Sequence, residues 1–181
     1  MIKLACSIPK KVVLACSGGR DSMSALEFLV RGRREVTVAY FNHNTSHGEE
    51  AEEFLRDFCG RQKLPLVCGR YKHHHEDTKP TEVNWRNQRY EFLSELEAPI
   101  VTGHHLGDAV EWWIFSSLRG KPNLTPILRE DVPVRRPFLL SDPKDLHDHF
   151  GSYPFVQDDS NFTEKYARNI IRNNIIQEAL K

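Results

Sequence analysis

The sequence is poor in the features that mark disulfide-rich, membrane and strongly nucleic-acid-binding proteins. Its 25 Lys and Arg residues balance its 25 Asp and Glu residues, so the chain lacks the overall basic field that draws proteins onto nucleic acid. Any RNA contact must therefore come from local patches. The four cysteines show no C-x-x-C spacing, and the chain is too long and too ordinary in composition for a disulfide scaffold, so we predict reduced thiols in a cytosolic protein.

Long apolar runs are missing as well. No stretch approaches the roughly 20 residues that a membrane helix needs, and residues 1–6 contain no apolar run of signal-peptide length. We therefore expect a cytoplasmic protein with no membrane segment. No repeat, low-complexity tract or Gly/Ser linker divides the 181 residues, so we expect a single domain over 1–181.

Short apolar runs alternate with segments of helical periodicity along the chain. Residues 12–15 form a β-branched run that stops near a glycine pair, and residues 22–30 carry apolar side chains at helical spacing. Such alternation predicts a doubly wound α/β fold, with a mainly parallel sheet and helices on both faces. The further strands are expected at 36–41, 65–68 and 99–102, and the further helices at 49–62, 81–96 and 106–118.

The last third of the chain has weaker periodicity. We expect loops and short strands at 121–143, and a C-terminal helical extension of the domain at 143–181 with its last helix at about 163–180. Ligands of parallel sheets bind beyond the carboxyl ends of the strands. Two glycine-marked turns, after Ala15 and after Thr102, fall at that edge of the predicted sheet.

A glycine-containing hexapeptide joins the first predicted strand to the first predicted helix. Unpaired backbone N–H groups and the helix dipole favour an anion at a helix N-terminus, while adjacent glycines allow close approach and positive φ angles. We therefore predict that this loop binds the phosphates of ATP. The alternative is a tight turn in which Asp21 or Ser22 merely caps the helix. The predicted phosphate-binding residues are Ser17, Gly18, Gly19, Arg20, Asp21 and Ser22.

Asp21 separates this loop from those of enzymes that transfer the γ-phosphoryl group. The Walker A pattern places a Lys directly before its Ser or Thr, and here Asp21 stands before Ser22. Ordinary γ-phosphoryl transfer is therefore disfavoured. A carboxylate beside a triphosphate would be repelled without a divalent cation, so we expect Mg²⁺ with Asp21 as a direct or indirect partner.

The loop and several later segments resemble one enzyme group. The pattern S-G-G-x-D-S is similar to the signature of the PP-loop ATP pyrophosphatases, which activate a carbonyl oxygen by transferring AMP to it. Residues 102–111 resemble the T-G-H-H-x-D-D-x-x-E-T block of the tRNA(Ile)-lysidine synthetases, and residues 117–120 resemble the L-x-R-G that follows it. The other segments similar to that family, in family order, are 85–90, 136–139, 158–161 and 166–172.

The resemblance implies a reaction in two steps. ATP adenylates the 2-carbonyl oxygen of a wobble cytidine in an isoleucine tRNA, and the side-chain amine of free lysine then displaces AMP to give lysidine. The implied cofactors are ATP and Mg²⁺, and the implied partners are tRNA and lysine. A homodimer is compatible with this interpretation. Adenylation is needed because a carbonyl oxygen is a poor leaving group, whereas AMP leaves easily once its charge is neutralised.

The resemblance also assigns roles to individual residues. It adds Gly103 and His104 to the ATP-binding set, and Asp108 to Asp21 as a ligand of Mg²⁺. The implied catalytic residues are Asp21, His105, Asp108 and Glu111. The implied contacts to RNA or substrate are Arg86, Arg89, Tyr90, Arg119, Arg168 and Arg172.

Some of these residues have plainer interpretations. The helix at 85–90 could be an exposed one whose aromatic ring packs on the core. Arg168 and Arg172 could form a solvated face or pair with Asp158 and Asp159. The three histidines at 73–75 are consecutive and cannot all face one ion, so a solvated loop is expected there.

Two positions depart from the family pattern. Gly107 replaces the first Asp of its paired acids, and Trp112 replaces the Thr that follows Glu111. Asp108 and Glu111, three residues apart, can still share a helix face and could bind a cation or accept a proton from the attacking amine. The alternatives left open are another PP-loop enzyme, such as a tRNA thiolase, and a non-catalytic nucleotide- or RNA-binding relative.

Overall fold

The computed structural model describes residues 1–73, 81–123, 134–157 and 167–176. Within these ranges the strands form one five-stranded sheet in the order β3-β2-β1-β4-β5, and every neighbouring pair is parallel. The strands are β1 (Lys11–Ala15), β2 (Glu35–Asn42), β3 (Leu66–Arg70), β4 (Ile100–Thr102) and β5 (Val134–Arg135). This sheet confirms the predicted α/β fold and its four predicted strands.

Helices connect the strands and cover both faces of the sheet. They are α1 (Arg20–Arg31), α2 (Ser46–Gln62), α3 (Glu82–Ser94), α4 (Leu106–Leu118), α5 (Pro143–Phe150) and α6 (Ala167–Ile170), which continues as a π-helical stretch over Ile171–Ile176. The four predicted helices before α5 are all present. Of the helix expected at 163–180, only residues 167–176 are described. In the described ranges no helix has both the length and the apolar character needed to cross a bilayer.

Two helices begin earlier than the sequence predicted, for local reasons. Gly19 takes an extended conformation as the N-cap residue and its carbonyl accepts the first helical bond from Met23, so α1 starts at Arg20. The side chain of Thr45 accepts the backbone N–H of Gly48 at 3.0 Å, so α2 starts three residues before the predicted position 49.

Strand β1 carries the core on both sides. Val12 and Leu14 point into the larger cluster and Val13 into the smaller one, because neighbouring side chains of a strand face opposite sides of the sheet. The larger cluster also includes Met23, Leu26 and Leu29 of α1, Leu55 of α2, Phe138, and Leu146 of α5. Helix α5, expected in a C-terminal extension, therefore packs into the main core.

The strand order reverses between β1 and β4. From β1 the chain runs outward through β2 to β3 on one side, while β4 and β5 occupy the other side. The loops after β1 and β4 leave the sheet in opposite directions at such a point and open a crevice between them. Both glycine-marked turns border this crevice, which locates the candidate site.

A buried carboxylate fastens the segment of residues 152–157, here called the strap, to α1. Glu27 is fully buried and accepts the backbone N–H groups of Ser152 and Tyr153, at 2.8 and 3.1 Å, and the hydroxyl of Ser152. Arg31, one turn along α1, forms an ion pair with the same carboxylate at 2.7 Å. The strap then reaches the glycine loop, where the backbone N–H of Val156 donates to the carbonyl of Gly18 at 2.9 Å.

Glu27→Ala is expected to lower the free energy of unfolding by about 3 kcal/mol, because it removes the buried acceptor of two part-buried backbone N–H groups and breaks the ion pair with Arg31. Urea denaturation measures this loss. Glu53→Ala, at an exposed position of α2, is the matched control and should change stability by no more than about 0.5 kcal/mol. Equal effects from the two substitutions would show that Glu27 does not hold the strap.

Candidate nucleotide site

A cavity of about 880 Å³ opens beyond the carboxyl ends of β1, β2 and β4. This volume lies in the usual range for sites that take a drug-sized ligand. One end of the cavity is bordered by the loop residues Ser17, Gly19, Arg20, Asp21 and Ser22. The other end, beyond β2, is bordered by Tyr40, Phe41, His43 and Trp85, and the lining also includes Gly103, His104, Asp108 and Arg172.

The glycine loop leaves the N-terminus of α1 open. Gly18 has φ +80°, a conformation that side chains rarely tolerate, and its carbonyl turns toward Val156. Gly19 is the N-cap residue, and no side chain caps the helix. The hydroxyl of Ser22 donates to the Gly19 carbonyl at 2.9 Å instead. The alternative in which Asp21 or Ser22 caps the helix is therefore wrong: both lie inside its first turn, and the end remains free for an anion.

The turn after β4 approaches the same helix end. A Cβ atom added to Gly103 would lie 3.0 Å from the Asp21 carbonyl oxygen and 3.2 Å from Cα of Ser22. Both atoms belong to the backbone and cannot move aside. Glycine at 103 is therefore required for the two loops to meet at the cavity.

The Asp21 carboxylate is held by two histidines. Nε2 of His147 lies 2.7 Å from Oδ1, and Nε2 of His105 lies 3.4 Å from the same oxygen. His105 begins α4, and its backbone N–H donates to the Asp108 carboxylate at 2.9 Å. The sequence analysis missed His147, which stands 126 residues from Asp21 on α5 and belongs to no recognisable motif.

The contacts of this cluster keep the Asp21 carboxylate charged at neutral pH. Burial raises the pKa of Asp21, but the hydrogen bonds from His105 and His147 lower it more, and the net shift is well below the ordinary value. Burial lowers the pKa of His105, but the bond to Asp21 and the charge of Asp108 outweigh it and leave the pKa raised. The stabilisation from His105 is therefore present below its unfolded pKa of about 6.5 and is lost as the pH rises through the raised value.

The pKa of His104 shifts in the opposite direction from that of His105. Its Nδ1 lies 2.8 Å from the Thr102 hydroxyl oxygen, and burial lowers its pKa to about 4. His43, at the other end of the cavity, also has a pKa lowered by burial to about 4. Both rings are therefore neutral at physiological pH and offer hydrogen-bonding nitrogens rather than charge.

Glu111 pairs with two arginines from the C-terminal part of the chain. Its side chain is 1% exposed, and Nε of Arg168 and of Arg172 each donate to a different carboxylate oxygen at 2.7 Å. The ring of Trp112 lies 5.8 Å from the Arg168 guanidinium. The expected catalytic acid and two expected RNA contacts thus form one ion cluster, while the predicted partners Asp158 and Asp159 lie outside the described residues.

This pairing changes what the three residues offer. Both oxygens of Glu111 are occupied by guanidinium groups, so the carboxylate fixes the C-terminal helix against α4 rather than facing the cavity. Arg172 still lines the cavity and also lies 3.7 Å from Asp108, whereas Arg168 is outside the lining. The catalytic role of Glu111 and the substrate contacts of the arginines remain predictions.

The helix expected to contact RNA is arranged around a buried tyrosine. Tyr90 is 6% exposed, Arg136 donates to its hydroxyl at 3.3 Å, and the guanidinium groups of Arg86 and Arg89 lie 5.0 and 5.6 Å from its ring centre. The aromatic ring therefore packs on the core, as the plainer interpretation proposed. Arg89 and Tyr90 border the cavity, and Arg119 stacks on Phe115 at the far end of α4.

The carboxylates that border the cavity suit a metal ion only if a bound phosphate compound completes its coordination. In the part of the chain that the structure describes, no group of three or more His, Cys, Asp and Glu side chains could hold a metal ion. Asp21 and Asp108 do both border the cavity beside the glycine loop. Mg²⁺ commonly binds one or two carboxylates and completes its shell with phosphates and water, and these two residues suit that mode.

A parallel, doubly wound sheet with an open glycine loop at its switch point defines a nucleotide-binding α/β protein. The family profile described as the PP-loop domain matches residues 3–179. The chain therefore belongs to the PP-loop domain family.

Two curated proteins to which the chain is similar are tRNA(Ile)-lysidine synthases. The chain is 30% identical over 185 residues to the tRNA(Ile)-lysidine synthase of Petrotoga mobilis, covering 91% of this chain and 58% of that protein. It is 30% identical over 188 residues to the tRNA(Ile)-lysidine synthase of Lactococcus lactis, covering 94% of this chain and 42% of that protein. The chain thus spans about half the length of these relatives.

A solved structure agrees on the fold. The NH3-dependent NAD synthetase from Campylobacter jejuni superposes with a TM-score of 0.53 at 14% identity, covering 96% of this chain and 87% of that one. At this identity the likeness concerns the fold alone.

Gly107→Ala is expected to destabilise the protein, because the new Cβ would lie 3.0 Å from Cε1 of His105 and would push the ring from its position beside Asp21 by a few tenths of an ångström. Gly60→Ala in α2 is the matched control: nothing lies within 4 Å of its Cβ, so it should stabilise the protein by about 0.5 kcal/mol. Gly107→Asp, which supplies the acid of the related motif, should behave as Gly107→Ala does. Urea denaturation of all three tests this, and equal gains at 60 and 107 would contradict it.

Stability is expected to fall as the pH drops from about 6.5 to 4, because the unfolded chain takes up protons that the buried, neutral His104 does not. His104→Gln removes that difference in proton uptake, so the stability of this variant should fall less over the same pH range. Urea denaturation at a series of pH values measures both, with about pH 8 as the reference where His104 is neutral in both the folded and the unfolded state. Parallel curves for the two proteins would assign the pH dependence to other groups.

Proposed function

We propose that this protein is an ATP-dependent ligase that modifies tRNA. In this proposal it cleaves ATP to AMP and pyrophosphate, adenylates the wobble cytidine of an isoleucine tRNA, and joins lysine to it. The observation that carries the proposal is the open N-terminus of α1 facing a cavity large enough for ATP. The names of the similar proteins and the PP-loop family support the choice of reaction.

The cavity suits ATP because its two ends differ. At the loop end, first-turn N–H groups and the hydroxyl of Ser17 would receive the phosphates. At the other end lie aromatic side chains with buried, unpaired ring nitrogens: Nδ1 of His43 and Nε1 of Trp85. A purine base presents a flat apolar face and polar edges, and such a lining matches both.

In the first step the cytidine carbonyl oxygen would attack the α-phosphorus, and the bond from that phosphorus to the β-phosphate oxygen would break. Pyrophosphate would leave into the loop, whose N–H groups stabilise the charge that develops on it. Asp21 and Asp108 would hold Mg²⁺, which when bound neutralises phosphate charge. Arg20 and Arg172 border the same cavity and add positive charge near the phosphates.

In the second step the lysine amine would attack C2 of the base, the C–O bond would break, and AMP would leave. The amine must lose a proton, and Asp108 is the carboxylate of α4 that borders the cavity and can accept it. Gly107 supplies no second acid, and Glu111 is neutralised by two arginines. We therefore infer weaker attraction for the amine than a pair of free acids would give.

That weakened acid site favours one alternative, a relative that binds nucleotide without joining lysine. A tRNA thiolase is disfavoured, because burial raises the pKa of Cys16, Cys59 and Cys68 and so suppresses the thiolate that sulfur transfer requires. A cytoplasmic location and a homodimer stay expectations from the sequence.

The test is incubation of the protein with ATP, isoleucine tRNA and lysine, followed by chromatography of the nucleotides. We expect AMP and pyrophosphate, and mass spectrometry of the digested tRNA should show lysidine. Asp21→Asn should reduce the rate about 100-fold by weakening phosphate and cation binding. Asp57→Asn, exposed on α2, is the matched control and should retain wild-type rate.

The other possible results distinguish the proposed reaction from its alternatives. Formation of ADP and phosphate would reject cleavage between the α- and β-phosphates. ATP that raises the melting temperature without being consumed would support the binding-only relative. Full activity of Asp21→Asn would remove that residue from the reaction.

A further inference from the structure

His147 reaches Asp21 because of how α5 is anchored. Asp142 caps the helix by accepting the backbone N–H of Lys144 at 2.7 Å, and Pro143 occupies the first turn. Leu146 is fully buried in the main core. Phe150 packs edge-on against Phe28 of α1 with ring centres 4.9 Å apart. These contacts fix the helix on α1, and the side chain of His147 follows Leu146 toward the start of α1.

The histidine acts on the cavity only through Asp21. Asp21 borders the cavity, whereas the side chains of His147 and His105 are 15% and 11% exposed and lie behind it. Both Nε2 atoms approach the same oxygen, Oδ1, and the two rings meet edge-on at 6.5 Å. Fixing one carboxylate oxygen fixes the direction of the other.

An untethered Asp at this place would have a competing partner. Asp side chains in and near the first turn of a helix readily hydrogen-bond the free backbone N–H groups of that turn. In this protein the same N–H groups are the proposed phosphate contacts, and no side chain caps them. The 2.7 Å bond to His147 occupies Oδ1 of Asp21, and the carboxylate makes no capping bond to the helix end.

We propose that His147 is a positioning residue that holds Asp21 toward the cavity and keeps the N-terminus of α1 free for the phosphates of a Mg²⁺-bound nucleotide. The inference rests on the proposed function, since it assumes that the loop binds ATP. Neither the S-G-G-x-D-S pattern nor any other motif in the sequence includes this residue. If His147 has this role, another side chain that places a hydrogen-bond donor at the position of Nε2 should hold Asp21 in the same way.

The experiment is isothermal titration calorimetry of the whole chain with ATP, once with Mg²⁺ and once with EDTA. His147→Ala should weaken binding of the Mg²⁺ complex about tenfold, the effect of losing one charge-assisted hydrogen bond. With EDTA the loss should be smaller, because Asp21 then has no cation to meet. His147→Gln, whose amide can donate from nearly the same place, should restore most of the affinity.

His149→Ala is the matched control. This histidine lies two residues further along α5, is exposed, and bonds through Nδ1 to the Asp145 carbonyl of its own helix. It should bind as wild type does. Circular dichroism and melting temperature of each variant verify that α5 stays in place, and the Gln variant decides the matter if the Ala variant is unfolded.

The outcomes separate the two proposals. Wild-type protein that binds no ATP would overturn the proposed function, and the inference with it. Wild-type protein that binds ATP, with His147→Ala binding the Mg²⁺ complex equally well, would overturn the positioning role alone. Loss of affinity that His147→Gln does not restore, or that is equal with EDTA, would show that His147 merely supports the fold.

Discussion

The structure depends on one constraint: the first turn of α1 must stay uncapped while polar side chains surround it. A free helix end inside a protein is unfavourable, because several N–H groups lack acceptors. Here the surrounding contacts hold that state in place. Gly18 takes a positive φ and turns its carbonyl to Val156, Ser22 bonds the Gly19 carbonyl, and Asp21 is held by His147. An anion in the cavity would supply the missing acceptors, so this geometry favours the binding of a phosphate group.

Charge pairing around α4 sets the chemistry available beside that site. Two acids point from this helix, but Glu111 is neutralised by Arg168 and Arg172, and only Asp108 borders the cavity. This buried carboxylate links the C-terminal helix to α4, because each of its oxygens accepts a hydrogen bond from a guanidinium group. The substitution of Trp at position 112 belongs to the same arrangement, because its ring supports Arg168. The departures at 107 and 112 therefore change the packing of the site as well as its charge.

The C-terminal part of the chain is integral to the site. The strap is anchored on buried Glu27 and bonds Gly18, helix α5 places His147 on Asp21, and Arg172 borders the cavity beside Asp108. Three separate segments after the last strand thus contact the first 22 residues or α4. A nucleotide-binding loop that needs support from such distant segments forms only when the whole domain has folded, which couples binding to global stability.

The sequence by itself determined the order of strands and helices, the parallel sheet and the position of the glycine loop. These follow from local periodicity, from glycines at strand ends and from the rule that strands joined by helices run parallel, none of which requires distant contacts. Only the tertiary structure decided the partners: His147 on Asp21, the arginines on Glu111, the strap on Glu27, and a buried rather than exposed Tyr90. His43 could have been anticipated, since it follows β2 at the ligand edge of the sheet. The contacts of His147 and of the two arginines depend on how α5 and the C-terminal helix pack against α1 and α4, and side chains more than 50 residues apart meet only through that packing.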